Sequence, residues 1–131
     1  MATTLAQKLN IKAGQRMVVL NPPEGYFELL SQSMPEIDLE REFSGSPKAV
    51  LVFANTLQQA LELAPPAFKA AEKDGLLWIA YPKGTSGVKT DINRDRLWEA
   101  MQPIGYHPVR MVALDEIWSV MRFRPLEEAD N

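Results

Sequence analysis

Cysteine is missing from this sequence, and histidine occurs once, at position 107. The first absence removes disulfide frameworks, thiolate metal sites and cysteine nucleophiles together. The second leaves too few imidazoles for a histidine-based zinc centre, so no metal is expected. Long apolar runs are lacking too: nothing approaches the roughly 20 consecutive apolar residues of a membrane helix. The opening stretch MATTLAQKLNIKAGQ has no apolar core of signal-peptide length. The expectations are a cytoplasmic protein and no membrane partner. A surplus of positive charge is also absent, since 14 lysines and arginines face 17 aspartates and glutamates for a net charge of −3. No overall field draws such a chain to nucleic acid, and only local patches remain. Internal repeats and low-complexity segments do not occur.

What is present is the composition of one globular domain spanning 1–131, with 46% hydrophobic and 24% charged residues. The length fills one core and is too short for two. Residues 1–10 and 125–131 are expected to be loosely ordered ends.

The stretch LLWIAYPKGTSGVKTD, residues 76–91, organises the rest. An apolar strand, Leu76 to Tyr81, empties at Pro82 into a polar, glycine-bearing loop ahead of a helix. Two further apolar runs, Arg16 to Leu20 and Ala49 to Ala54, read as strands buried on both faces. Ile37 to Phe43 alternates apolar with charged residues, as a half-exposed edge strand does. Tyr26, Phe27, Leu30 and Met34 recur at a helical period ending before Pro35. Thr56 and Gln59 form a capping box for a helix that should break at Pro65-Pro66 and resume through Phe68 and Ala71. Gly75 should then take the left-handed position after that helix. Asn93 caps a last helix with a stripe of Leu97, Ala100, Met101 and Ile104. Val109 to Leu114 and Trp118 to Phe123 make a hairpin about Asp115-Glu116-Ile117. All-apolar strands each followed by a helix imply a parallel α/β sheet with right-handed crossovers and one antiparallel strand from the hairpin.

The order of these elements, with KDGLLWIAYP, GYHPVRMVAL and WSVMRFRP, resembles the second half of a class I methyltransferase-type Rossmann fold, whose last strand is antiparallel. The likeness implies a three-layer, mostly parallel open sheet of truncated methyltransferase-like topology, in the order second, first, third, fourth, sixth, fifth strand. LNPPEGY, LLWIAYPKGTSGVKTD and DEIWSVMRFRP are similar, over residues 11–125, to a family of small bacterial proteins of unknown function. That family brings no activity with it. Where methyltransferases carry a glycine-rich turn after the first strand, this chain has Asn21-Pro22-Pro23-Glu24-Gly25. Two prolines remove two backbone donors there, and a helix-strand unit is missing between the second and third strands. S-adenosylmethionine (SAM) is therefore disfavoured, and no cofactor is expected.

In the implied order the switch point lies between the first and third strands, and the loops at that edge supply Asn21, Glu24, Tyr26, Asn55 and Thr56, with Asp115 and Glu116 reaching the same rim. GTSGVKT is not a P-loop, because only two residues separate its glycines and Val88 follows the second. A looser anion site remains, from Lys83, Thr85, Ser86, Lys89, Thr90 and Arg94 near a helix start. The bland reading of that loop is a stiff connector that caps its own helix. The carboxylates read as caps more readily than as acid-base pairs, so no catalytic residue is assigned. His107 belongs to the far end of the sheet, Trp78 and Trp118 to the core, and Trp98 to a surface suited to a subunit contact. Two functions follow: a non-catalytic binding or regulatory module for an anionic small molecule or a partner protein, or a divergent group-transfer enzyme holding an adenosine-containing ligand. A homodimer is compatible with either.

Overall fold

The computed structural model describes residues 5–42, 45–84, 87 and 89–125. Its elements are α1 (Leu5–Lys8), β1 (Arg16–Leu20), α2 (Tyr26–Ser33), β2 (Asp38–Glu40), β3 (Ala49–Phe53), α3 (Leu57–Ala70), β4 (Leu76–Pro82), α4 (Arg94–Met101) with a 3-10 turn at Gln102–Ile104, β5 (Tyr106–Ala113) and β6 (Trp118–Pro125). The strands form one sheet in the order β2-β1-β3-β4-β6-β5, as implied above. β2, β1, β3 and β4 are parallel, and β6 is antiparallel to both of its neighbours. β2 and β3 are joined by residues 41–48 alone, too few for a helix-strand unit.

The apolar runs became central strands because both of their faces are covered. Every residue of β3 and β4 is buried. Alternate side chains feed two cores: Met17, Val19, Leu51, Phe53 and Trp78 pack with Leu9, Leu30 and Met34 of the α1–α2 side. Val18, Val50, Val52, Leu77 and Ile79 pack with Ala60, Ala64, Phe68, Leu97 and Met101 of the α3–α4 side. Among the described residues no helix is long and apolar enough to cross a membrane.

The structure corrects five expectations. Residues 5–10 are not a loose end, because Ala6 and Leu9 are buried and the Trp78 indole N–H donates to the Leu9 carbonyl at 3.2 Å. α3 runs unbroken through Pro65 and Pro66. Prolines at these positions deprive the carbonyls of Leu61 and Glu62 of their helical donors, and both residues are solvent-exposed, so water can satisfy them while the buried stripe Ala60, Ala64, Ala67, Phe68 continues. Gly75 is not left-handed; Asp74 is, at φ 62°. Glycine is required at 75 by space, since a Cβ there would lie 2.8 Å from the Glu72 carbonyl oxygen and 3.0 Å from that of Lys48. The edge strand β2 keeps only three residues of the expected Ile37 to Phe43, of which Phe43 lies outside the described residues. β5 begins three residues early and admits Pro108 because it is the sheet's outer strand, where a missing donor goes unmissed, with an irregularity between Pro108 and Arg110.

Candidate functional site

The C-terminal ends of β1, β3 and β4 and the β5–β6 turn meet at one edge of the sheet, and the switch point falls between β1 and β3. Asn21 follows β1 in a left-handed conformation, φ 56°, and donates from Nδ2 to the carbonyl of Phe53 at 2.9 Å. It ties together the two strand ends that border the switch point. Gly25, φ 78°, then turns the chain into α2, and the Tyr26 ring meets Phe53 edge-on with centroids 5.2 Å apart. Phe53 meets Trp118 in the same way at 5.1 Å. The Tyr26 hydroxyl donates to Asp115 Oδ2 at 2.5 Å, linking the β1–α2 loop to the β5–β6 turn. The other oxygen of Asp115 accepts from the N–H groups of Ile117 and Trp118, both at 2.8 Å.

This arrangement fixes both protonation states. Burial works to raise the Asp115 pKa, but the hydrogen bonds from Tyr26, Trp118 and Ile117 and the charge of Lys83 outweigh it and hold the carboxyl below its usual range. Burial, and then the Asp115 bond and charge, push the Tyr26 phenol well above its ordinary value. Asp115 is an ionised acceptor with three donors on it, and Tyr26 is a protonated donor. A general base needs a pKa near the working pH, and neither member of this pair supplies one.

The α3 side of the rim is equally committed. The Thr56 hydroxyl accepts from Gln59 N–H at 3.1 Å, and Gln59 reaches back to accept from Asn55 N–H at 2.8 Å, so the capping box forms with its return bond one residue before the cap. Thr90 donates to the Asn55 carbonyl at 2.6 Å and accepts from Ile92 N–H at 3.1 Å. Asp91 Oδ1 accepts from Leu57 N–H at 2.8 Å, a carboxylate placed at the positive end of α3. Thr56, Lys89, Thr90 and Asp91 line a cavity of about 340 Å³.

Of the residues assigned to an anion site, Thr85 and Ser86 lie outside the described residues. The charge of Lys83 acts on Asp115, and its backbone N–H donates to the Ile117 carbonyl at 2.7 Å. Lys89 belongs to the cavity beside α3. Arg94 stands 3.6 Å from Asp95 and lines a groove with Trp98, Arg110 and Met111. The described cations thus divide among three neighbourhoods. Among the crevice residues, Asn21, Tyr26 and Asp115 come together on one side and Asn55 and Thr56 on the other, while Glu24 is exposed. The sequence reading missed that Asp91 caps α3 across 34 residues of chain. It also missed that Tyr26 pairs with Asp115 across 89. Each residue stood out singly, but only the topology pairs them. Among the described residues no group of three or more histidines, aspartates or glutamates is placed to hold a metal ion.

The fold on which this rim is built is methyltransferase-like. The chain superposes on LepI in complex with SAM with a TM-score of 0.55 at 12% identity, over 92% of this chain and 39% of that one. It superposes on a ribosomal protein L11 methylase from Lactobacillus delbrueckii subsp. bulgaricus with a TM-score of 0.54 at 8% identity, over 92% and 74% of the two chains. For the Methanococcus jannaschii fibrillarin pre-rRNA processing protein the TM-score is 0.51 at 10% identity, over 95% and 70%. At such identities the likeness is one of fold, and the chain spans well under half the length of LepI. No protein-family model and no curated protein sequence matches it.

Proposed function

We propose that the protein is a non-catalytic binding or regulatory module built on a methyltransferase-like frame, with its switch-point crevice given over to holding the fold together. The Tyr26–Asp115 hydrogen bond carries this reading, because it joins the β1–α2 loop to the β5–β6 turn and commits both the Tyr26 hydroxyl and the Asp115 carboxylate to each other. Three further features support it. Pro22 and Pro23 offer no N–H to a ligand. Asn21 is bound to the Phe53 carbonyl. Phe53, at the end of β3, is covered edge-on by the Tyr26 ring. These residues do not fit SAM. In this reading the ligand or partner engages the surface outside the crevice.

A divergent group-transfer protein is the second reading, favoured by the likeness to methyltransferases over 92–95% of the chain. It requires Tyr26 to leave Asp115. Calorimetric titration of the whole chain with SAM separates the two. The module reading expects no binding tighter than about 1 mM, equivalent to about 4 kcal/mol of binding free energy. Micromolar binding would overturn it and promote the enzyme.

A further inference from the structure

The opposite edge of the sheet, where the parallel strands begin, has a chemistry that the rim lacks. A cavity of about 220 Å³ there is lined by Asn10, Lys12, Gln15, Lys48, Asp74 and Arg122 among others. They come from four separate parts of the chain: the α1–β1 connection, the residue before β3, the turn before β4, and β6. Three cations face one carboxylate, in a chain whose net charge is −3. Lys48 is partly answered by Glu72, at 3.5 Å. Arg122 is not answered by any carboxylate among the described residues, and its Nε is buried with no hydrogen-bond partner there.

The surroundings of Arg122 make its position costly. The strand register sets Arg110 directly opposite it, and Arg124 follows two residues on. Like charges facing one another across a sheet are destabilising. Burial, then Arg124 and Arg110, lower the Arg122 pKa from its ordinary value. A guanidinium held among its own kind, with a buried N–H unsatisfied, is a group prepared for an anion. The cavity has other donors to complete the site. Gln15 Oε1 is fixed as acceptor to the Lys12 backbone N–H at 2.8 Å, which leaves the Gln15 amide NH₂ to donate. Asn10 lines the same wall, and Lys12 brings an ammonium without a carboxylate partner among the described residues.

We propose that this cavity binds a small phosphate-type dianion, either inorganic phosphate or the phosphoryl end of a small phosphomonoester, with Arg122 and Lys12 as its principal contacts. The cations and amides of the lining set the chemistry, and the size suits a small anion, since about 220 Å³ is below the roughly 300 Å³ at which sites for larger organic ligands begin. The site lies at the other end of the sheet from the crevice, so it stands whatever the SAM titration returns.

The test follows the Arg122 Nε–H resonance and the isothermal heat while the full chain is titrated with inorganic phosphate and, separately, with glycerol 2-phosphate. A chloride titration matched in ionic strength is the control. The expected result is a saturable shift of that resonance, with a dissociation constant below about 1 mM for at least one of the two. Affinity should fall at least about tenfold in Arg122→Gln and in Lys12→Gln, and be unchanged in Lys69→Gln on the exposed face of α3. The two phosphate arms show whether the free ion or the ester is preferred. Should Arg122→Gln fold poorly, Lys12→Gln alone decides, because that side chain is exposed and its loss leaves the core intact. No response beyond that of chloride overturns the proposal, as does a response that survives both substitutions. A response seen only after residues 126–131 are removed would assign the cavity to the acidic tail and also overturn it.

Discussion

Replacing Tyr26 by phenylalanine removes one atom from the link between the β1–α2 loop and the β5–β6 turn. The ring, and so its edge contact with Phe53 at 5.2 Å, is retained. What disappears is a hydrogen bond from a half-buried hydroxyl to an ionised carboxylate at 2.5 Å. Bonds to charged groups contribute about 1.5 to 3 kcal/mol. Asp115 is exposed enough for water to replace part of this, so a loss of about 1 to 2 kcal/mol is expected. In a chain of 131 residues that corresponds to a fall in Tm of about 3 to 8 °C. Asp115→Asn should cost more, because it also weakens the bonds from Ile117 and Trp118 N–H. The double variant isolates the pair, with an expected coupling of about 1 kcal/mol. The pH dependence has a definite sign. The depressed Asp115 pKa contributes stability that is full above the ordinary value of 3.8 and is lost as pH falls through the folded value. The raised Tyr26 pKa contributes stability that is full below 10.0 and is lost as pH rises beyond it. The gap between wild type and Tyr26→Phe should therefore be widest across the interval between these limits and narrow on both sides. Urea melts from about pH 2.5 to 10.5 would measure it. A coupling near zero, or a gap indifferent to pH, would refute the lock that the functional reading rests on.

Other substitutions probe the frame. Leu51→Ala, at a fully buried position of the central strand β3, should lower urea-melt stability by about 2 to 5 kcal/mol. Gly75→Ala would press a methyl group against two carbonyl oxygens and should cost about 1 to 3 kcal/mol by the same measurement, more than its conformational preference alone predicts. Thr56→Ala and Asp91→Ala should each lose about 1 kcal/mol, and the double variant should lose less than the sum, because both side chains serve the first turn of α3. Glu40→Ala should cost at most about 1 kcal/mol and should lose that effect in high salt, since its partner Arg16, at 2.6 Å, is only partly buried.

The reasons some of this was legible in the sequence and some was not are physical ones. A strand buried on both faces needs an unbroken apolar run, so Met17 to Leu20, Ala49 to Phe53 and Leu76 to Tyr81 declared themselves, and the pattern of helices between them constrained the sheet order. Helix starts were legible where the cap is local, as at Thr56 and Asn93, each of which accepts from an N–H three residues on. Proline misled at 65 and 66 because its penalty depends on where the orphaned carbonyls point, which belongs to the packed molecule and not to the dipeptide. The rim misled for a related reason. A polar loop after a buried strand is the mark of a ligand site in an open α/β sheet, yet Thr90 and Asp91 spend their oxygens on backbone groups of a distant segment, and Asp115 on the distant Tyr26 hydroxyl and the N–H groups of its own turn. Polar residues gathered at a strand end therefore do not distinguish a site from its own scaffolding until the partners are counted.

The same count, applied to the hairpin, points the other way. Once Asp115-Glu116-Ile117 is taken as the turn, stepping back along both arms sets Ala113 against Ser119, Met111 against Met121 and Arg110 against Arg122. Only beyond Arg110 does the irregularity at Val109 shift the pairing by one, so that Pro108 faces Phe123. The opposed arginines were thus within reach of the sequence, and what made them easy to pass over was the net charge of −3, which describes the whole surface and conceals a cation surplus confined to one end of one sheet. Charge has to be read at the register of the strands. There, two guanidiniums face each other where a Glu on the outer strand would have turned repulsion into attraction, and a cavity with donors on several sides lies beside one of them. At the rim Asn21, Tyr26, Thr56, Thr90, Asp91 and Asp115 have found partners within the chain, whereas at this edge a buried N–H has not. That imbalance places the more promising binding chemistry of this fold at the end of the sheet away from its switch point.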